Sequence, residues 1–385
     1  MSDLDRDLVS LDATLRARLD AVGFSAERLR ANAASLRGPD GALLEPSVRR
    51  RDRNVVRGEV RGPSPDELTK LPPPGSEARA RLAEIGQAAL SRGELAFCTM
   101  AGGMATRMGG VVKALAEVFD GKTFLDLRLG ENKTASERAG KPVPLWLMTS
   151  DATDAAIKEG LAARKAPAHV ATFVQQLSLR LDLEGNLFRD AQGQPSTHAT
   201  GHGDLVDALR RSKLLDGFIA GGGKYVWITN VDNLGATMDT ALLGHFIESG
   251  EQVMVEVCRK VPGDRGGIPV HAEGRLQVLE EFRLPEGFDA STVQVFNTNT
   301  FLCDARALRD APLTWTFFEV EKKVDGAPAL QFERLLQELT AHLDSGYVEV
   351  PREGEESRFL PVKDFDELAA RREAIQMVAR ARGMV

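Results

Sequence analysis

At 385 residues the chain exceeds one average domain, yet a large α/β protein can hold that length around a single sheet. Hydrophobic residues make up 43% and charged residues 27%, the balance of a globular chain with a sizeable core, which sets aside bulk disorder. A net charge of −7 argues against a nucleic-acid protein, since gripping a phosphate backbone takes a dense basic face, but a small anion can still be held where a few cations and amides converge.

In chain order, residues 1–37 read as helices. Leu4, Leu8, Leu11, Leu15 and Leu19 recur at helical spacing, and Phe24, Leu29, Ala33 and Leu36 continue the apolar set past Gly23. The charged N-terminal stretch has no apolar region of a signal peptide, and no run of 18 apolar residues occurs anywhere. Cytoplasm is the expected compartment, with no membrane and no nucleic-acid partner. Residues 38–75 lose the period, gain Gly, Pro and Arg, and read as a linker or strapping arm. The run Arg49-Arg50-Arg51-Asp52-Arg53 inside it is expected to be a solvated surface.

A helix over 78–91 leads into a short apolar run at 95–100, expected to be a fully buried first strand. Further strands are expected over 143–148, 170–174, 225–229, 252–258 and 294–296. Cap-type residues Thr149-Ser150-Asp151 signal one helix start, and a single helix is expected over 203–220. Strands alternating with helices predict parallel βαβ units in a doubly wound sheet. Cys98, Cys258 and Cys303 lie far apart beside apolar runs with no C-x-x-C spacing, so reduced, buried thiols are expected rather than zinc or disulfides.

Two segments carry chemistry. The first strand runs into Ala101-Gly102-Gly103-Met104-Ala105-Thr106-Arg107-Met108-Gly109-Gly110-Val111-Val112-Lys113. Beyond a strand's carboxyl end, glycines let backbone amides approach phosphate oxygens, and Arg107 and Lys113 add long-reaching positive charge. A Walker A loop is excluded because Lys113 follows Val112 and not Gly, and the dinucleotide G-x-G-x-x-G spacing fails as well. Downstream, Asn230-Val231-Asp232 falls where the strand over 225–229 should leave the sheet. A hard carboxylate at that mouth suits Mg²⁺, which takes few protein ligands and several phosphate oxygens.

The loop resembles the signature G-G-x-G-T-[RS]-M-G…P-K of nucleotide-sugar pyrophosphorylases, and within them the UTP–glucose-1-phosphate uridylyltransferase family. The likeness continues through Thr123-Phe124-Leu125-Asp126-Leu127, Phe173-Val174-Gln175, Gly201-His202-Gly203-Asp204 and Asn230-Val231-Asp232-Asn233-Leu234-Gly235-Ala236-Thr237. It goes on through Gly266-Gly267, Leu279-Glu280, Phe296-Asn297-Thr298-Asn299, Gln331-Phe332-Glu333 and Arg358-Phe359-Leu360-Pro361-Val362-Lys363. It spans roughly residues 94–370 in unbroken order. Ala105 and Val112 depart from the family's glycine and proline; an alanine fits there only if its φ is negative or mildly left-handed.

The resemblance implies a Rossmann-like, doubly wound, mostly parallel mixed sheet of the GT-A-like nucleotidyltransferase kind with an N-terminal helical extension. It divides the chain into an extension and linker over 1–92, a catalytic domain over 93–363 and a C-terminal helix over 364–385, with no hexapeptide repeat for a β-helix assembly domain. It implies UTP and a sugar 1-phosphate as substrates, glucose 1-phosphate first, and Mg²⁺ on Asp232. Arg107, Lys113 and Lys323 would be the catalytic cations, with Lys322 able to substitute for Lys323. Gly102, Gly103, Thr106, Gln175 and Gly201 would hold the nucleotide. His202, Asn230, Gly267, Glu280, Asn297 and Asn299 would hold the sugar phosphate. Another sugar, such as N-acetylglucosamine 1-phosphate, and a catalytically silent nucleotide-sugar sensor are the alternatives.

Overall fold

The computed structural model describes residues 3–385. Eight strands form the central sheet: β1 (Leu68–Lys70), β2 (Leu95–Met100), β3 (Leu145–Thr149), β4 (Val170–Val174), β5 (Tyr225–Asn230), β6 (Val253–Arg259), β7 (Val295–Asp304) and β8 (Ser345–Glu349). Their spatial order is β1-β8-β6-β7-β5-β2-β3-β4. All neighbours are parallel except at β7, which runs antiparallel to both β5 and β6. The central strands are apolar runs buried on both faces, all six residues of β2 included, as a sheet covered on two sides requires. Trp227 and Phe97 stand directly opposite each other across β5 and β2 with no more than 1% exposure.

The register sets the site. Met100 pairs with Asn230 and with Met148, and Thr149 pairs with Val174, so β2, β3, β4 and β5 end side by side. The segments after them therefore leave one edge of the sheet, the place where open α/β sheets bind ligands.

Among the described residues twelve α-helices surround the sheet and its extension. Helices α1 (Asp3–Val9), α2 (Ala13–Ala21), α3 (Ala26–Ala34) and α4 (Pro46–Asn54) precede β1, and α5 (Glu77–Arg92), α6 (Phe124–Ala139) and α7 (Asp154–Ala163) follow it. Then come α8 (Leu205–Ser212), α9 (Leu214–Ala220), α10 (Thr240–Ser249), α11 (Ala305–Asp310) and α12 (Phe365–Ala381). Helices α5 and α10 cross so closely that a Cβ on Gly86 would fall 1.9 Å from the Thr240 carbonyl oxygen. Helices α1–α3 do not enter the main core. Their leucines build a second, smaller one with Leu177, Leu179, Leu181, Leu187, Leu330 and Phe332 from two hairpins beside the sheet.

Four expectations are corrected. The segment over 38–75 is no bare linker: α4 forms there with Pro46 opening it, and Leu68–Lys70 joins the sheet edge beside β8. The arginine run lies on α4 and is solvated only in part, at Arg51 and Asp52. Arg49 is 5% exposed and bonded to Glu319 at 2.7 Å, Arg50 reaches Glu319 and Glu321, and Arg53 lies over the Phe332 ring. The buried Glu319 carboxylate needs those partners. The helix over 203–220 is broken at Lys213, whose φ of 63° is left-handed. After β3 the helix starts later than Thr149-Ser150-Asp151, because Ser150 and Thr153 close a turn first and α7 begins at Asp154. The three cysteines are buried and free. Among the described residues no helix is long and apolar enough to cross a membrane.

Candidate active site at the carboxyl edge of the sheet

Beyond β2 the chain doubles back on itself. Met104–Ala105 pairs antiparallel with Val111–Val112, and left-handed Gly109 and Gly110 (φ 81° and 75°) make the turn between them. Gly102 sits where a Cβ would come 2.6 Å from Gln175 Nε2, and Ser150 Oγ donates to its carbonyl at 2.8 Å. These contacts bring the glycine-rich loop onto the segments after β3 and β4. Gly103 faces open space, with nothing within 4 Å of a notional Cβ. Arg107 is exposed in the short helical turn Thr106–Met108, and the Thr106 side chain lies outside the described residues.

The Lys113 amide donates to the Gly103 carbonyl at 3.1 Å, which closes the loop. From there the Lys113 ammonium reaches across to the Asp232 carboxylate, the two side chains being 17% and 16% exposed.

The two departures from the family pattern are accommodated. Ala105 has φ −79°, so its methyl group carries no left-handed strain. Val112 has φ −61° and ψ 120°, the backbone that proline imposes. Because Lys113 donates to Gly103, Met104 and Val112 are a non-hydrogen-bonded pair, which leaves the Val112 amide out of the ladder. Val112→Pro should therefore fold and gain about 0.4–1 kcal/mol in chemical denaturation. A loss of stability would show that the amide is used.

Asp232 is held by a network that sequence reading missed. Arg128, fully buried on α6, donates to the carbonyls of Asn230 (3.1 Å), Asn233 (2.6 Å) and Ala236 (2.9 Å) and to Glu131 (2.8 Å). Arg358 grips the buried Glu256 through two nitrogens, at 2.6 and 2.7 Å, and donates to the Thr237 carbonyl. Asn233 ties the same loop to the Arg358 carbonyl and the Leu360 amide. The available signal was Arg128 and Glu131 sharing a helix with Phe124, Leu125 and Leu127 on its buried side.

A second arm of the site continues from Asn230. Asn299 Nδ2 donates to Asn230 Oδ1 at 3.2 Å, and the Asn299 amide donates to Asn297 Oδ1 at 2.8 Å. The Asn297 amide reaches the Gly267 carbonyl at 2.8 Å, and a Cβ on Gly267 would lie 3.2 Å from Glu280 Oε1. Asn230, Asn299, Asn297, Gly267 and Glu280 thus form one continuous path from the Asp232 loop. Burial pushes the Glu280 carboxyl up from its ordinary pKa, against the pull of the Gly267 amide. Asn297 and Asn299 do not lie on the regular strand backbone that their spacing suggested. Asn299 has φ 59° at an irregularity in the β6–β7 pairing, and the Asn297 side chain closes a turn onto it.

The Gly201–Asp204 corner differs from expectation. The Gly203 amide donates to the Arg334 carbonyl at 3.0 Å, and a Cβ at Gly201 would lie 2.6 Å from that same oxygen. This corner is packed on protein, and the Gly203 and Asp204 amides are taken by the Arg334 and Gly201 carbonyls. The His202 Nδ1 accepts from the Leu336 amide at 3.0 Å, so its proton sits on Nε2, and burial pushes the imidazole down to about 4. His202 can offer a neutral hydrogen-bond donor and no charge at neutral pH.

His198 is also pushed down to about 4 by burial. Both folded pKa values lie below the usual 6.5, so the unfolded chain binds more protons between the two. Stability is intact above about 6.5 and falls as pH drops toward 4. His198→Gln should move acid unfolding, followed by circular dichroism, to lower pH.

Lys323 and Lys322 are exposed near the tip of the hairpin Phe318–Val324 with Ala327–Glu333. That tip reaches the Ala191 amide through Asp325, and no contact joins either lysine to Lys113 or Asp232 among the described residues. The structure does not bring Lys323 to the other cations.

No group of three or more His, Cys, Asp or Glu placed to hold a metal ion occurs among the described residues. A metal held wholly by protein has no donor set here. Mg²⁺ arriving on a polyphosphate needs little beyond the Asp232 carboxylate, which already holds a cation, the Lys113 ammonium.

A mixed sheet with one reversed strand, and a glycine-rich basic loop beside a strand-end Asn-x-Asp, is a nucleotidyltransferase-like α/β protein. Solved structures agree. A UDP-N-acetylglucosamine pyrophosphorylase of Trypanosoma brucei superposes with TM-score 0.72 at 22% identity, over 97% of this chain and 84% of that one. A UDP-glucose phosphorylase of the same organism gives 0.67 at 25% identity, over 83% and 70%. Residues 64–380 match the family described as UTP–glucose-1-phosphate uridylyltransferase, and the chain belongs to that family. A curated relative of that name from Musa acuminata is 32% identical over 336 residues, 82% of this chain and 67% of its own length. One from Saccharomyces cerevisiae is 29% identical over 80% of this chain and 64% of its own length. The chain thus spans about two thirds of the length of these relatives.

Proposed function

We propose that the protein is a UTP–glucose-1-phosphate uridylyltransferase, joining UTP and glucose 1-phosphate into UDP-glucose with release of pyrophosphate. The observation that carries this reading is the meeting of Lys113 and Asp232 across the adjoining ends of β2 and β5, with the Asn230-to-Glu280 path leading away from it. The family shared with the Musa and yeast relatives supports the choice of sugar. Cytoplasm is the compartment proposed with it.

In this reading an ionised oxygen of the sugar phosphate attacks the α-phosphorus of UTP in line, and the bond to the pyrophosphate oxygen breaks. The second phosphate pKa is about 6, so the nucleophile is already charged at neutral pH and no general base is needed. The obstacle is repulsion between two polyanions. Arg107 and Lys113 offset it and stabilise charge on the leaving group. Gln175 against Gly102 borders the base, and His202 offers its Nε2 proton to the sugar phosphate. Glu280 and the asparagine pair Asn297 and Asn299 orient the hexose hydroxyls. Mg²⁺ bound with the nucleotide would supply further charge neutralisation beside Asp232. Lys323 would join the site only if its hairpin swings toward the triphosphate.

The test is pyrophosphate release with UTP, Mg²⁺ and a panel of sugar 1-phosphates. Turnover with glucose 1-phosphate should exceed that with N-acetylglucosamine 1-phosphate. Preference for the acetylated sugar would move the protein to another specificity, and silence with every sugar would leave a sensor.

A further inference from the structure

Helices α1–α3 lie outside the residues 64–380 that match the family, yet they are built onto the candidate site. In the second core their leucines pack with Leu177 and Leu179, which follow directly on Gln175 and Gln176. Leu19 and Leu29 on the extension and Leu179 facing them are no more than 1% exposed. Each such buried leucine contributes about 1.5–3 kcal/mol, so the strand Leu177–Leu179 is firmly seated on the extension.

The turn between α2 and α3 adds a polar attachment. Gln176 Nε2 donates to the Gly23 carbonyl, and Gln176 Oε1 accepts from Arg334 at 3.1 Å. The Gln176 amide donates to the fully buried Asp204, which also accepts from Arg211 at 3.0 Å. Arg211 runs past Gly23 so closely that a Cβ there would lie 2.8 Å from its Cδ. Gly23, Arg211, Asp204 and Gln176 thus close a ring beside Gln175.

A second attachment comes from α2 itself. Arg18 meets Asp151 as a fork, Nε to Oδ1 at 3.3 Å and Nη2 to Oδ2 at 2.6 Å. Asp151 follows Ser150, whose hydroxyl holds the Gly102 carbonyl. The extension therefore grips the segments after both β3 and β4. Those two segments hem in Gly102, where a Cβ would lie 2.6 Å from Gln175 Nε2 and 3.3 Å from the Ser150 amide nitrogen.

We propose that the N-terminal extension braces the base end of the nucleotide site, with Arg18 and Gln176 as positioning residues. Both act through their neighbours. Arg18 fixes Asp151, and with it Ser150 on Gly102; Gln176 fixes the backbone that bears Gln175. The inference rests on the proposed reading in which Gln175 borders the base of UTP. The brace sets affinity for the nucleotide and leaves the phosphate chemistry beside Lys113 and Asp232 as it is.

Calorimetric titration with UTP and Mg²⁺ tests this on four full-length proteins: wild type, Arg18→Met, Gln176→Leu, and Arg18→Met combined with Asp151→Asn. The Arg18–Asp151 pair is 48% and 34% exposed, so Arg18→Met should melt with wild type. Its Kd for UTP should rise about 3- to 5-fold, the reach of an exposed ion pair. Gln176→Leu withdraws two hydrogen bonds and should raise the Kd about 10-fold. The double variant should bind as Arg18→Met does, because both changes remove one contact. In pyrophosphate release the KM for UTP should rise likewise, with kcat and the KM for glucose 1-phosphate within about 2-fold of wild type. An unchanged Kd for UTP in both single variants overturns the proposal. So does a fall in kcat and Tm with every loss of affinity, the mark of residues that only hold the fold. If wild type binds UTP but releases no pyrophosphate with any sugar 1-phosphate, the proposed function fails, and the UTP affinities still decide the brace.

Discussion

Lys113→Ala is expected to lower turnover by about 10²–10³-fold, the range seen when one preorganised donor to developing negative charge is removed. Lys113 sits on a loop closed by its own amide on Gly103, so its ammonium is aimed at the mouth before any substrate arrives. With the amine gone, the loop keeps Gly102 on Gln175 and the hairpin at 104–112, neither of which uses the Lys113 side chain. Binding geometry should survive while transition-state charge goes uncompensated. The pair with Asp232 is partly exposed, so its loss should cost no more than about 1 kcal/mol of stability. Steady-state pyrophosphate release and a thermal melt on the same preparation separate the two effects. Normal turnover would remove Lys113 from the chemistry, and a collapsed melt would make it a structural residue.

Arg128→Met should be the most destabilising single change at the site, by about 3–5 kcal/mol. The substitution keeps much of the volume but withdraws every donor that the guanidinium supplies. The carbonyls of Asn230, Asn233 and Ala236 lose this donor, Asn230 and Asn233 keeping only the Asn233 and Ala236 amides, and Glu131 keeps only the Met238 amide. An uncompensated charge is left inside the protein. Urea unfolding monitored by circular dichroism measures the effect directly. A change below about 1 kcal/mol would show that the loop finds other donors and that Asp232 is held from elsewhere.

The elements legible in the sequence are those whose burial is written in unbroken apolar letters. Strands β2 and β4 fall where their runs predict, and β3, β5 and β6 come within two residues. Strand β7 was visible only over 294–296, because Asn297, Thr298, Asn299 and Thr300 interrupt the pattern just where the strand lines the site. Its reversed direction has no signature in composition or spacing. Helix α4 was missed because five of its nine residues are arginine or aspartate, and buried ion pairs do not show an apolar period. The same default, that charged residues face water, hid Arg128 and Arg358. The meeting of Lys113 with Asp232 could be anticipated because both lie just beyond strand ends in a sheet expected to be parallel.

The lone strand that runs against its neighbours has a consequence for how preferences could change over time. Strands ending at the active edge carry the residues proposed to grip the nucleotide, whereas β7 enters that edge with its opening residues and carries Asn297 and Asn299 with it. In the proposed reading, recognition of base and of hexose would thus be mounted on backbone of opposite heading, joined by the β5–β7 pairing and the Asn230–Asn299 contact. Substitutions near the start of β7 or in the hairpin that bears Gly267 could retune sugar choice while the triphosphate cradle stays as it is.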